Sequence, residues 1–437
     1  MHIKNLFIFT SVFLGVVLCY GCKQGNDTTN QSYKTEFAAT NSSNNVIITG
    51  SDGLKHIAVF SKCENYDNKL STFASEVRFI SLDIDPPINE LMTFDVQLTD
   101  DFVFLSSIYH IYQYDRKGHF IQKIGDRGEG PAEYITLAPP LQIDYNEQSI
   151  YALDINRRRV IVYNFDGTFN RAFRTEFQGN IAIIDSTTIA FRQSIEERFQ
   201  AKAPFVIFTD RNGKNEKIYY SHLYPVISRN EAEIFGPESS LLWEYAGQSY
   251  YLEYGADTIF RISRNSLDPI WILTGELKLD KKELFLRERG KKLANFSYVV
   301  RSNAGIFESN QFLIFKLSDS QENFYMIYDK VSGEFHRTYD KDASIRERTS
   351  PSGRVQTLSK KMDFFIDDLI SGIHFNPNYQ SMGKAIALIP ATTVAENRNE
   401  ILQHIASHPS EESARLKPII EQMDEEDNPL VMIVTFK

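Results

Sequence analysis

Three cysteines in 437 residues, Cys19, Cys22 and Cys63, are too few for a disulfide framework. A chain of this length does not need one, because it has ample residues for a large core. Cys63 is taken as a lone thiol. A basic excess is missing as well: 47 Lys and Arg stand against 57 Asp and Glu, a formal charge of −10. Nucleic-acid binders show the opposite balance, so no nucleic-acid partner is expected. The acidic balance argues for solubility rather than for a particular fold. There is no Gly-x-Ser-x-Gly elbow, no cysteine-ligand pair and no EF-type loop, and neither a metal nor a cofactor is expected. Low-complexity sequence is absent beyond residue 50.

Long apolar runs are also scarce, and the clearest stands at the N-terminus. Lys4 precedes Leu6–Val17, and small and apolar residues then lead to Cys22. This is the layout of a secretory signal, too short for a comfortable transmembrane span. The ending Leu18-Cys19-Tyr20-Gly21-Cys22 resembles a bacterial lipobox, although Tyr20 is bulkier than the usual residue there. Residues 1–21 are therefore expected to be a lipoprotein signal peptide and Cys22 the lipidated residue; an uncleaved anchor is the alternative. Diacylation plus N-acylation holds a protein stably where a single chain is marginal. Residues 22–50, rich in Asn, Thr and Ser, form the expected flexible tether. The expected address is the outer membrane. Lys23-Gln24-Gly25-Asn26 has no acidic run that would choose between its periplasmic and surface faces.

What the sequence has in plenty is aromatic residues, 32 Phe and 22 Tyr, in short alternating segments of strand character. The stretch from Ile111 to Phe177 repeats itself. Tyr114, Gly118 and Phe120 of IYQYDRKGHF recur 49 residues later as Tyr163, Gly167 and Phe169 of VIVYNFDGTF. Such a period marks a β-unit that buries its faces only by stacking on copies of itself. Five four-stranded units can be traced, over residues 94–125, 141–174, 180–220, 241–274 and 298–339. A sixth would take Phe364–Phe375, Lys384–Pro390 and Leu430–Lys437. Its missing fourth strand is supplied by Val77–Ile84, which would close a ring by joining the chain ends and leave no open sheet edge. The expected fold is an all-β, six-bladed β-propeller over residues 51–437, with a helical insert over 395–423. Within the insert, Ala395–His408 and Glu411–Met423 have helix-forming composition, and Pro418 is expected to kink or split the second.

The run GDRGEGPAEY, followed by IYALD and NFDGTF, resembles the six-bladed β-propeller lipoproteins of Gram-negative gut-type bacteria, distant relatives of NHL-repeat proteins. FFIDDLISGIHF and the terminal Asp427-Asn428-Pro429 share in the resemblance, which covers Val77 to Lys437. It implies the propeller fold and an envelope location, and no reaction.

The remaining motifs favour structure over chemistry. GDRGEG (Gly125–Gly130) lacks the following helix and the Lys-Ser/Thr pair of a phosphate loop, so its glycines are read as a tight exit between blades. His404 and His408 have metal-ligand spacing without the catalytic Glu between them, and a solvent-facing pair is expected. Asp367-Asp368 and Glu196-Glu197 are neighbours that point to opposite sides of a strand, so neither pair can act together on one bond. Asp424–Asp427 is read as a solvated acidic end of a helix. Arg157-Arg158-Arg159, at a hairpin tip of the second unit, is the one candidate ligand-binding patch, for an anion. No catalytic residue is assigned. The function expected is a monomeric, lipid-anchored module that binds or scaffolds a glycan, peptide or partner protein. The alternative is a lactonase- or lyase-like propeller enzyme with its site at the channel mouth.

Overall fold

The computed structural model describes residues 47–50, 53–58, 65–88, 93–175, 181–192, 204–220, 241–252, 257–274, 299–300, 305–318, 323–338, 346–349, 355–358 and 364–437. Six antiparallel blades form a closed β-propeller. Blade 1 runs Thr93–Leu98, Phe102–Ser107, Ile111–Asp115 and Phe120–Lys123; blade 2 runs Leu137–Asp144, Ser149–Asp154, Arg159–Asn164 and Phe169–Arg174. Blade 3 spans Ile181 to Tyr220, blade 4 Leu241 to Thr274 and blade 5 Val299 to Arg337.

Each of the six apolar clusters lies between neighbouring blades or, for the largest, between blades 5 and 6 and the helices. This explains why Ser149–Asp154 is buried at every position. Ile150 and Ala152 pack toward blade 1, while Tyr151 and Leu153 pack toward blade 3. A strand covered on both sides has no polar face to alternate with.

The repeated glycines hold blade to blade. Gly118 has φ +95°, and a Cβ there would stand 1.8 Å from the Ser81 carbonyl oxygen. Gly167 has φ +82°, and a Cβ would strike the Gln122 amide at 2.7 Å. In each case the outer hairpin of one blade rests on the outer strand of the blade before it, and only glycine satisfies both the turn and the approach.

Closure follows the expected route. Ala74–Ser81 pairs antiparallel with Leu430–Phe436, with Ser81 opposite Leu430 and Val77 opposite Val434. The inner strand of blade 6 is a correction: it is Tyr379–Ser381, paired with Lys384–Ile389. Phe364–Phe375 is not a blade strand; Phe365–Ile366 and His374–Phe375 form a separate two-stranded clip. Buried Asp367 breaks the strand by accepting the backbone N–H groups of Leu369, Ile370 and Ser371. A carboxylate turn of this kind competes with a ladder.

The N-terminal segment adds something the strand count did not include. Lys55–Ala58 pairs parallel with the outer strand of blade 4, and Ile47–Thr49 pairs outside it. Asn65–Tyr66 then pairs parallel with Phe335–Arg337 of blade 5. The segment thus covers two outer edges before it becomes the outer strand of blade 6.

Helices Ala391–Glu396, Arg398–Ser407 and Glu411–Gln422 sit between the second and third strands of blade 6. The last helix is not split at Pro418 but runs through it. Burial of Leu416 and Ile420 and a bond from Phe79 N–H to the Glu412 carboxylate hold that helix against the blade despite the missing N–H.

Candidate functional site at the channel mouth

In an antiparallel four-stranded blade, the first and third hairpins share one face of the ring. The second hairpin and the crossing to the next blade share the other. The first face is built from short turns such as 99–101, 145–148, 246–247 and 382–383. The second carries the long connection 125–136 and the helical insert. The first strands of neighbouring blades touch one another and line the axis.

Polar residues of blades 1, 2 and 6 bond to one another where these inner strands meet. In blade 2 the register slips between Ala138 and Gln142, across Pro139-Pro140, which frees the Leu141 N–H. Asp95 of blade 1 takes that N–H at 2.9 Å and accepts from the Gln97 amide at 2.9 Å. Asp95 is 4% exposed. Burial outweighs these bonds and raises its carboxyl to about 7.

Tyr145 follows the inner strand of blade 2, and its hydroxyl donates to the Leu98 carbonyl of blade 1 at 3.2 Å. Ser381 of blade 6 accepts the Leu98 N–H at 2.8 Å, so residues from blades 1, 2 and 6 meet at one point. Burial pushes the Tyr145 phenol up to about 12; a bond to Ser381 opposes this, while the Glu244, Asp100 and Asp95 carboxylates add to it. Even so, Tyr145 is 43% exposed and presents its ring to the mouth. Tyr379 donates to the Thr93 carbonyl at 2.9 Å, and its phenol is raised to about 12 chiefly by burial.

Glu244, from blade 4, is different. It keeps accessible surface, yet protein crowds around its carboxyl, and that desolvation alone raises its pKa. Among the described residues no hydrogen bond or ion pair holds its carboxylate. Three other carboxylates at this face are engaged: Asp144 by Arg211 at 2.8 Å, Glu147 by Arg171 at 3.1 Å and Glu308 by Lys330 at 2.8 Å. A fixed phenol beside an uncommitted carboxylate can recognise hydroxyl, amide or amine groups of a ligand.

The residues singled out in the sequence stand elsewhere. Arg157 donates to the carbonyls of Glu129 at 2.5 Å and Gly130 at 3.1 Å. Arg159 donates to Pro131 at 3.1 Å, to Gly130 at 3.0 Å and also to the Glu133 carbonyl. Tyr163 adds a bond to the Ala132 carbonyl at 2.7 Å. Blade 2 thus clamps the GDRGEGPAEY crossing on the long-connection face. Arg158 stands at the exposed tip with φ +50°.

His404 and His408 stack with ring centroids 4.1 Å apart, and His404 is partly buried against Gly372 rather than turned wholly to solvent. No group of three or more metal-ligating side chains occurs among the described residues. Cys22, Cys63 and Glu196-Glu197 lie outside the described residues. Asp95, Tyr145 and Glu244 had no local signal, because each comes from a different blade.

A family profile described as a domain of unknown function matches residues 54–435. No curated protein matches the chain. Among solved structures, a Bacteroides fragilis protein described as exported is 14% identical, covers 86% of this chain and all of its own, and superposes with a TM-score of 0.58. A DUF4221 family member from Bacteroides vulgatus is 14% identical over 83% of this chain and 97% of its own, with a TM-score of 0.44. Virginiamycin B lyase from Staphylococcus aureus is 11% identical over 66% of this chain and 90% of its own, with a TM-score of 0.35. At these identities the first similarity speaks to fold alone, and the other two carry no argument about this chain.

Proposed function

The chain belongs to the family with that profile, DUF4934, and on this premise we propose that it is an exported, lipid-anchored envelope propeller that binds a glycan, peptide or partner protein. The lipid would be carried by Cys22, after the signal sequence and at the head of a polar tether. No helix of the described residues is long and apolar enough to cross a membrane. The similar Bacteroides fragilis protein is described as exported, which agrees with this address.

The observation that carries the binding reading is the mouth itself: Tyr145 held on the Leu98 carbonyl, beside the uncommitted Glu244 carboxylate. Tyr145 opens the short turn 145–148 and Glu244 lies near the end of the inner strand of blade 4, just before the short turn 246–247, so a rigid ring presents both. Asp95, whose raised carboxyl is the feature that favours an enzymatic reading, is buried and already engaged by Leu141 and Gln97. That geometry suits a latch between blades better than an acid facing a substrate.

The test is ligand capture from native envelopes and on a glycan array, using the lipidated full chain beside Tyr145→Ala and Glu244→Gln. A ligand held by the parent and lost by both variants, with unchanged circular dichroism, supports the site. Equal retention by all three removes it. Replacing Cys22 by Ser should abolish lipid labelling and release the protein from the membrane fraction; retention in a carbonate wash would point to an uncleaved anchor.

A further inference from the structure

Two hairpins of this ring have the same turn and unequal surroundings. Asp115-Arg116-Lys117-Gly118 in blade 1 and Asp210-Arg211-Asn212-Gly213 in blade 3 are built alike. In both, the Asp carboxylate accepts the N–H groups two and four residues on, at 2.8–3.0 Å. In both, the glycine N–H returns to the Asp carbonyl at 3.1 Å. Arg116 and Arg211 therefore leave equivalent positions and enter equivalent crevices, each against the preceding blade.

Arg211 finds a full set of acceptors there. Its guanidinium pairs with Asp144 at 2.8 Å and donates to the Tyr151 hydroxyl at 2.7 Å and the Asp185 carbonyl at 2.6 Å. In the crevice between blades 6 and 1, the registers put Ser381 where Asp144 stands and Ile386 where Tyr151 stands. Ser381 is already bonded to Leu98, and Ile386 is apolar and buried. Among the described residues the Arg116 side chain has no hydrogen-bond or ion-pair partner, and one of its terminal nitrogens is buried. Burial, followed by the nearby Arg78, disfavours its charge, while Asp100 and Glu76 only partly offset this at a distance. Glu76 is itself occupied, by Arg78 at 2.6 Å and Lys384 at 3.8 Å. A buried polar group without a partner is costly and calls for an explanation.

We propose that the crevice between blades 6 and 1 is a binding site for an oxyanion, a phosphate or carboxylate group of a ligand, held by Arg116 with Arg78 and Lys384 at its rim. A guanidinium presents paired N–H donors that match the oxygens of either group. The ligand supplies what Asp144 and Tyr151 supply to Arg211 within the chain. Arg116 is not among the residues of the channel mouth, although Ser381 and Leu98 link the two places.

The experiment is unfolding of the full chain in inorganic phosphate and, separately, in acetate, each against chloride at fixed ionic strength. Phosphate stabilises many proteins by exclusion, so the readout is a saturable rise in midpoint, compared across variants. The parent should show saturation with phosphate, acetate or both. Arg116→Leu and Arg116→Gln should weaken the apparent affinity at least tenfold. In chloride alone, Arg116→Leu should unfold no earlier than the parent, while Arg211→Leu unfolds much earlier. A response to phosphate alone assigns a phosphoryl ligand, and a response to acetate a carboxylate. The site is refuted by no saturable response in the parent, or by an undiminished one in both Arg116 variants. It is equally refuted if Arg116→Leu is as destabilising in chloride as Arg211→Leu, since Arg116 would then have a partner within the chain.

Discussion

Asn428 offers the sharpest test of ring closure. It stands just before the last strand, is 3% exposed, and faces the crossing from blade 6 to blade 1. Its amide nitrogen lies 2.5 Å from the Asp83 carbonyl, 3.1 Å from Ile84 and 2.9 Å from Pro86, while its oxygen accepts the Ile88 N–H at 2.6 Å. One side chain thus ties a segment near residue 85 to the C-terminal strand. Asn428→Asp keeps the shape and the bond from Ile88, but sets an oxygen against three carbonyls. Two donated bonds vanish, each worth about 0.5–1.5 kcal/mol, and part-buried carbonyls are left facing an oxygen at roughly 1–3 kcal/mol more. The expected loss at pH 7.5 is about 3–5 kcal/mol, a large share of a typical stability of ~5–15 kcal/mol. Those carbonyls and the burial must raise the new carboxyl above its unfolded value of about 4. The folded state then holds a proton that the unfolded state has released, so stability falls as pH rises above about 4 and is regained on acidification. Urea titrations of the parent, Asn428→Asp and Asn428→Ala between pH 4.5 and 7.5 measure both effects. The reasoning fails if Asn428→Asp lies within about 1 kcal/mol of the parent at pH 7.5, or if its deficit does not shrink in acid relative to that of Asn428→Ala.

Three further outcomes are expected. Asp95, with its carboxyl raised to about 7, should make stability fall between about pH 4 and 7; Asp95→Asn, whose oxygen can accept from Leu141 and whose amide can donate to Gln97 once that side-chain amide turns over, should flatten that fall and be the more stable protein at pH 8, as read from urea midpoints. Arg159→Ala should cost about 2–4 kcal/mol and speed amide exchange over residues 125–136, because the Pro131 and Glu133 carbonyls lose their side-chain donor and Gly130 keeps only Arg157; Arg158→Ala should change neither. Removing residues 430–437 exposes the partners of Leu430, Val431, Met432, Ile433, Val434 and Phe436, all buried; at roughly 1.5–3 kcal/mol each the loss is comparable to the whole stability of ~5–15 kcal/mol, so a soluble, monomeric, cooperatively folding truncate would contradict the closure.

Much of the architecture was legible from local pattern. Tyr114-Gly118-Phe120 and its copy at Tyr163-Gly167-Phe169 announced a repeated hairpin, because a glycine demanded by φ and by packing cannot drift far in sequence. The apolar alternation of Val77–Ile84 and of Leu430–Lys437 was enough to pair strands from opposite ends of the chain. Where local pattern misled, a tertiary partner had intervened. Asp367 turned an apparent strand into a clip, and packing of Leu416 and Ile420 carried a helix through Pro418. The strand pairings of Lys55–Ala58 and Asn65–Tyr66 left no mark beyond short β-prone runs, since an added edge strand needs backbone more than side chains.

The sites were the least legible part, for a physical reason. Arg157, Arg158 and Arg159 look alike in sequence, but the hairpin sends the first and third to carbonyls and leaves the second at the tip. Tyr145, Glu244 and Ser381 come from different blades and meet only because the ring closes. Arg116 and Arg211 share the same local motif, and only the preceding blade decides which one has partners. The sequence by itself determined the repeat, the strands and the ends that join, because these rest on backbone geometry and burial of short segments. Which charges are satisfied, and which are left to meet something outside the chain, was decided by the tertiary structure, because that depends on what the neighbouring blade brings within three ångströms.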